Sequence, residues 1–129
     1  MGWLDELLAR KRGEAEERRR ERVSASTNGL TVKSSTGVRE IGWPDIRRIA
    51  AFQRDIFVGE VVCVAIETAD ATTLHLVEGD DGWLGFMRLY AGQLPGALPL
   101  EGWLPSFAAG ASKPVVVYDR TQGSSALGN

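Results

Sequence analysis

Glu60-Val-Val-Cys-Val-Ala-Ile-Glu67 holds six successive apolar residues between two acids. Alternate side chains of a strand point to opposite faces, so a run that is apolar at both parities predicts a strand buried on both sides, at the centre of a sheet. Thr72-Thr-Leu-His-Leu-Val-Glu78 follows after a short loop around Ala69-Asp70. Pairing Thr68 with Thr72 sets Val62, Val64 and Ile66 beside Leu74 and Leu76 on one apolar face. In that register His75 lies opposite Ala65, on the other face, with Cys63 as its diagonal neighbour about 7–8 Å away. Before the central run, Arg48–Arg54 reads as a strand with Ile49, Ala51 and Gln53 on one face and Ala50, Phe52 and Arg54 on the other. Asp55–Gly59 joins the two.

Working outward, Leu30–Ser34 and Val38–Gly42 form a hairpin around the Ser35–Gly37 turn, and Trp43-Pro-Asp-Ile46 must bend because Pro44 cannot donate to a central ladder. Beyond Glu78, Gly79-Asp-Asp-Gly-Trp83 reads as a helix entry with acids where the helix dipole favours them. Trp83, Phe86, Met87, Tyr90 and Leu94 fall on one side of that helix, and Leu94-Pro-Gly96 stops it. A Pro- and Gly-rich stretch with Trp103 and Phe107 leads to a last strand, Val115–Tyr118. The expected fold class is α+β: an antiparallel meander sheet or roll of five to six strands packed by one helix.

Residues 1–23 read as an appended charged helix. Trp3, Leu4, Leu7 and Leu8 make a short apolar stripe, while Arg10 to Arg22 is charged at every position but Gly13 and Ala15. Pairs such as Glu14 with Arg18, four apart, support helix. Ser24–Gly29 reads as a linker ending in an Asn-Gly turn signal, residues 30–120 as the single folded domain, and 121–129 as a disordered polar tail.

Trp43-x-x-Ile46-x-x-Ile49 after a short hairpin, with two further strands in meander order, resembles the opening of pleckstrin-homology-like sheets in small bacterial proteins. The helix ending Leu-Pro-Gly, the Trp-Leu-Pro-Ser-Phe stretch and the closing Val-Val-Val-Tyr strand are similar to uncharacterised bacterial proteins with that same opening. The resemblance covers roughly residues 30–120 and implies a PH-like roll. It departs from the pleckstrin pattern in ending on a strand rather than a helix. The first hairpin carries only Lys33 and Arg39 as cations, so no phosphoinositide site carries over.

The chain has 129 residues, a net charge of −2 and one cysteine, Cys63. One domain is the natural content of that length. A near-neutral chain has no field to gather nucleic acid, so none is expected as a partner. A lone cysteine and the absence of a basic, apolar leader make the cytoplasm the expected compartment. The apolar run Val61–Ile66 is far short of the ~20 residues that span a bilayer.

Candidate chemistry is thin. Cys63 and His75 lie beyond hydrogen-bond reach in the favoured register, and apolar neighbours do not activate a thiol. One Cys and one His make no zinc set. Glu78, Asp80 and Asp81 lack the spacing of a calcium loop and read as helix-capping acids. No phosphate loop or dinucleotide fingerprint occurs. No catalytic, metal or cofactor residues are therefore assigned and no cofactor is expected.

Two apolar features point outward. Trp3, Leu4, Leu7 and Leu8 are too few for a core, and burying each is worth about 1.5–3 kcal/mol. They should dock on their own domain, a sister subunit, a foreign partner or a membrane surface. Trp103 and Phe107 either plug the end of the sheet or serve as interface anchors. The expected function is a non-enzymatic intracellular protein-interaction module, with a protein partner or self-association, including the possibility of neutralising a partner toxin. The alternatives are a membrane-peripheral role using the Trp3–Leu8 stripe with Arg10, Lys11 and Arg12, and a small enzyme whose site the sequence hides.

Overall fold

A computed structural model describes residues 21–56, 59–108 and 113–120. Strands β1 (Arg22–Ser26), β2 (Gly29–Ser34) and β3 (Gly37–Gly42) form an antiparallel sheet in that order. A single 3-10 turn at Trp43–Asp45 then leads into β4 (Ile46–Ile56), β5 (Gly59–Thr68) and β6 (Thr73–Val77). Two helices follow, α1 (Trp83–Gln93) and α2 (Leu100–Ala108), and then β7 (Val115–Asp119). The second sheet has the order β6-β5-β4-β7, antiparallel throughout. The fold is α+β, as the residue patterns require.

The central registers are those expected. Ala65 pairs with His75, Val64 with Leu76 and Ile66 with Leu74. The loop is closed by Thr68 N–H donating to Thr72 O at 2.9 Å. Ile49, Ala51, Val62, Val64, Ile66, Leu74 and Leu76 face the main core. Leu30 and Val32 of the first sheet join them, as do Trp83, Phe86, Met87 and Tyr90 of α1. That core lies between the two sheets and under the helices.

Three expectations need correction. The single meander of five to six strands is two sheets, with seven strands among the described residues. Ser24–Gly29, expected as linker, supplies most of β1, its turn and the first residue of β2. Val23 is buried in the core while Ser24 and Ser26 alternate with it, so polar residues conceal a strand that β2 templates. Gly29 turns the chain at φ +146°, where a Cβ would stand 2.2 Å from the Ile41 carbonyl oxygen. The single expected helix is joined by α2, which forms despite Gly102 and Pro105 because Trp103 and Phe107, four apart, enter the core together. The last strand, β7, for which the residue pattern names no partner, pairs with β4.

The acids before α1 do not cap it: Gly82 is the N-cap and no side chain bonds there. Asp80 Oδ2 instead accepts from Val77 N–H at 2.9 Å, Glu78 Oε1 from Val62 N–H at 3.4 Å, and Asp81 faces Arg22 at 3.5 Å. They close the β6–α1 turn and tie it to the neighbouring strands.

Asp70 organises the β5–β6 loop. Its Oδ1 accepts from the Thr68 hydroxyl at 2.5 Å and from Thr72 N–H at 3.1 Å. Hydrogen bonds from Thr68 and Thr72 favour the carboxylate and pull its pKa from 3.8 down to about 2. A depressed folded-state value means the loop gains stability above the unfolded pKa and loses it as pH falls toward 2. A carbon-13 titration of the Asp70 carboxyl should therefore show a midpoint near 2; an ordinary midpoint near 4 would show that the Thr68 bond does not form in solution.

Candidate functional site

Trp103 and Phe107, read either as plugs for the end of the sheet or as interface anchors, are inside the described fold. Trp103 is 1% exposed and Phe107 is likewise buried, their rings edge to face at 5.9 Å. Both pack into the core, the first of the two readings. Trp3, Leu4, Leu7 and Leu8 lie outside the described residues, as do positions 1–20 of the charged helix expected over 1–23 and the tail at 121–129; Arg22 and Val23, expected to end that helix, belong to β1 instead. Cys63 and His75 share one face of the second sheet as the register required, with Cys63 paired to Val77 and His75 to Ala65. Phe52 meets the imidazole ring: the two centroids are 6.3 Å apart and nearly perpendicular. Among the described residues no group of three or more His, Cys, Asp or Glu is placed to hold a metal ion. No helix among them is long and apolar enough to cross a membrane.

A feature that sequence reasoning missed is an open groove of about 970 Å³ along β7. Val116 to Arg120 line one side, the Gln93–Gly96 turn after α1 lines another, and Thr27, Asn28, Trp43 and Pro44 close the end. The walls are held firmly. Trp103 Nε1–H donates to the Tyr90 hydroxyl at 2.9 Å, and that hydroxyl donates to Leu98 O at 2.5 Å. Leu98 N–H in turn donates to Val117 O at 2.8 Å, which fastens the post-α1 turn to the outer edge of β7. Burial raises the Tyr90 pKa above its ordinary 10, although the Trp103 N–H opposes the shift, so the hydroxyl stays protonated as a donor. At the groove's end Trp43 Nε1–H donates to Ser26 O at 2.9 Å, and its ring stacks on Phe86 at 6.0 Å. The Arg120 guanidinium donates to Pro44 O. The groove therefore mixes apolar wall with exposed amide and charged groups, on a strand that borders the sheet.

A bacterial PH-domain profile matches residues 20–97, more than half of the chain. The chain belongs to the bacterial PH-domain family. PH domains generally mediate interactions with proteins or lipids. No curated protein and no solved structure matches the chain. The matched span of this PH domain begins before β1, which agrees with the correction of the linker above. It ends before Leu98, so α2 and β7 lie beyond it, and with them one wall of the groove. In the first hairpin Lys33 pairs with Val38 and Arg39 with Val32. Adjacent positions on a strand face oppositely, so the two cations stand on opposite sides of the hairpin and form no joint anion site.

Proposed function

We propose that this PH domain is a non-enzymatic protein-interaction module that receives an extended segment of a protein partner in the groove along β7. The carrying observation is the groove itself: a border strand with a rigidly held facing wall, open to solvent. Extended peptides bind such places by adding backbone hydrogen bonds at a sheet edge while side chains fill adjoining pockets. The family's general role in interactions supports the reading, as does the mixture of Val116, Pro95 and Leu94 with Asn28, Gln93 and Asp119 around the opening. The partner is placed in the same intracellular compartment, and no cofactor or nucleic acid enters the reading.

The test is site-specific photocrosslinking in the native cell. A photoreactive phenylalanine analogue at Asn28 or at Pro95, both exposed on the groove, should yield the same protein adduct from either position. The analogue at Val38, 65% exposed on the first sheet, should not yield it. Adducts from Val38 alone would put the interface on the first sheet. Retention on anionic phospholipid vesicles with no protein adduct from the groove would replace a protein partner with a membrane.

A further inference from the structure

The second sheet has a face that the main core does not use. The registers place Ala50 and Phe52 of β4, Cys63 and Ala65 of β5, and His75 and Val77 of β6 together on it. They form a separate cluster of Ala50, Phe52, Cys63 and Ala65, with Val61 and Val77 packed around it, and no residue of the first sheet or of either helix belongs to that cluster. Such a face should be wet. It is not: Phe52 is 2% exposed and Cys63 1%, and both ring nitrogens of His75 are shielded from solvent. The Phe52 and His75 rings on this face meet edge to face, their centroids 6.3 Å apart. Phe52, Cys63 and His75 of this face all have partners.

Four stretches of sequence lie outside the described residues, and they differ in the apolar side chains they hold. Residues 57 and 58, Phe-Val, join β4 to β5, and the Ile56–Gly59 pair that flanks them is four residues, about 13 Å, from the Phe52–Cys63 pair. Residues 109–112 are Ala-Gly-Ala-Ser, and 121–129 hold a single large apolar residue, Leu127. Residues 1–20 hold five, Met1 and the stripe of Trp3, Leu4, Leu7 and Leu8. The place where that segment joins the fold is also right. Glu21 and Arg22 line a small cavity together with His75 and Leu76, so the chain enters at the β6 border of this very face. Between Leu8 and Glu21 a helix would span about 20 Å, against about 10 Å between the axes of β6 and β4.

We propose that Trp3, Leu4, Leu7 and Leu8 of this chain's own N-terminal segment lie across Ala50, Phe52, Cys63 and Ala65 and form a second core on the far side of the sheet. The alanines and the cysteine form a shallow floor on which a helix can approach closely, and Phe52 and His75 form its rim. This surface is distinct from the β7 groove, and the assignment does not depend on the groove's partner.

Cys63 is the only thiol and sits on the floor, so its reaction with a disulfide reagent such as 5,5′-dithiobis(2-nitrobenzoate) reads the cover directly. In the full chain the reaction should be slow. In the Leu7→Asp/Leu8→Asp double variant it should accelerate at least roughly tenfold, because two buried charges displace the stripe. A reporter for the main core, Val64→Cys in a Cys63→Ala background, should stay slow in the same double variant. Equal acceleration of both reporters would mean the stripe supports the whole fold rather than this face, and would overturn the proposal. So would an unchanged Cys63 rate in the double variant. The wild-type rate should be constant over a roughly hundredfold range of protein concentration; a rate that rises on dilution would assign the cover to a second copy of the chain instead.

Discussion

Replacing Trp103 by alanine should lower stability by about 3–5 kcal/mol, the range found for large aromatics removed from cores. The indole is 1% exposed, packs against Phe107 and donates to Tyr90. Its loss leaves a cavity between α2 and the sheet and takes a hydrogen bond from a hydroxyl that must then hold Leu98 unaided. For a domain of this size the melting temperature should fall by about 15–25 °C, measured by thermal denaturation with circular dichroism. Tyr90→Phe should cost less, about 1–3 kcal/mol, because it keeps the ring but leaves the buried Trp103 N–H and the Leu98 carbonyl short of a partner. The tyrosine also gives a sign-specific check. Its folded-state pKa is raised, so the stability it confers is complete below pH 10 and is lost as pH rises through the folded value. A Trp103→Ala loss below about 1.5 kcal/mol would mean that α2 is not seated in the core. Because the same chain of bonds holds one wall of the β7 groove, this variant should also weaken groove crosslinking from Pro95 under conditions where the protein remains folded.

The sequence patterns reveal the second sheet well and the rest of the fold unevenly, for physical reasons. Between Arg48 and Glu78 apolar residues fill both parities of each strand, and the close spacing of Thr68 and Thr72 leaves one register that keeps both faces consistent. That determines where His75 and Cys63 stand before any coordinates. β1 is hidden because only Val23 and the small Ala25 face inward, directly after a run of charge; its place is decided by β2 and by α1 packing on it. α2 is hidden because Gly102 and Pro105 are poor helix residues, and tertiary burial of Trp103 and Phe107 overrides that preference. The spacing of four between those aromatics was the available signal, and it favours one helical face over two separate contacts. The groove has no local signature at all. Its walls come from the β1–β2 turn, the 3-10 turn, the segment after α1 and β7, and only the placement of β7 beside β4 brings them together.

The three glycines in and before α1 should respond to alanine in opposite directions, and the contrast tests how closely that helix approaches β1. A Cβ at Gly82 would stand 1.7 Å from the Val23 carbonyl oxygen and 2.8 Å from its carbonyl carbon. Both are backbone atoms of a strand paired along its length with β2, so neither can swing aside as a side chain would. Gly82→Ala must lift the start of α1 off the strand or bend β1 out of the sheet, and forced overpacking of this kind costs about 1–3 kcal/mol and sometimes more. A loss at or above the upper figure is expected, read from the midpoint of a urea titration. Gly92, near the other end of the helix, has open space where a Cβ would go. There alanine replaces the poorest ordinary helix former with the best, and Gly92→Ala should gain about 0.5–1 kcal/mol. Gly85 lies between the two cases: its added Cβ would meet the Ala25 carbonyl oxygen at 3.9 Å, an ordinary contact, so Gly85→Ala should be neutral or mildly stabilising. If Gly82→Ala were as benign as Gly92→Ala, α1 would have to ride higher on β1 than the structure places it. Tyr90, about two turns further along the same helix, would then no longer be held where it fixes the groove wall.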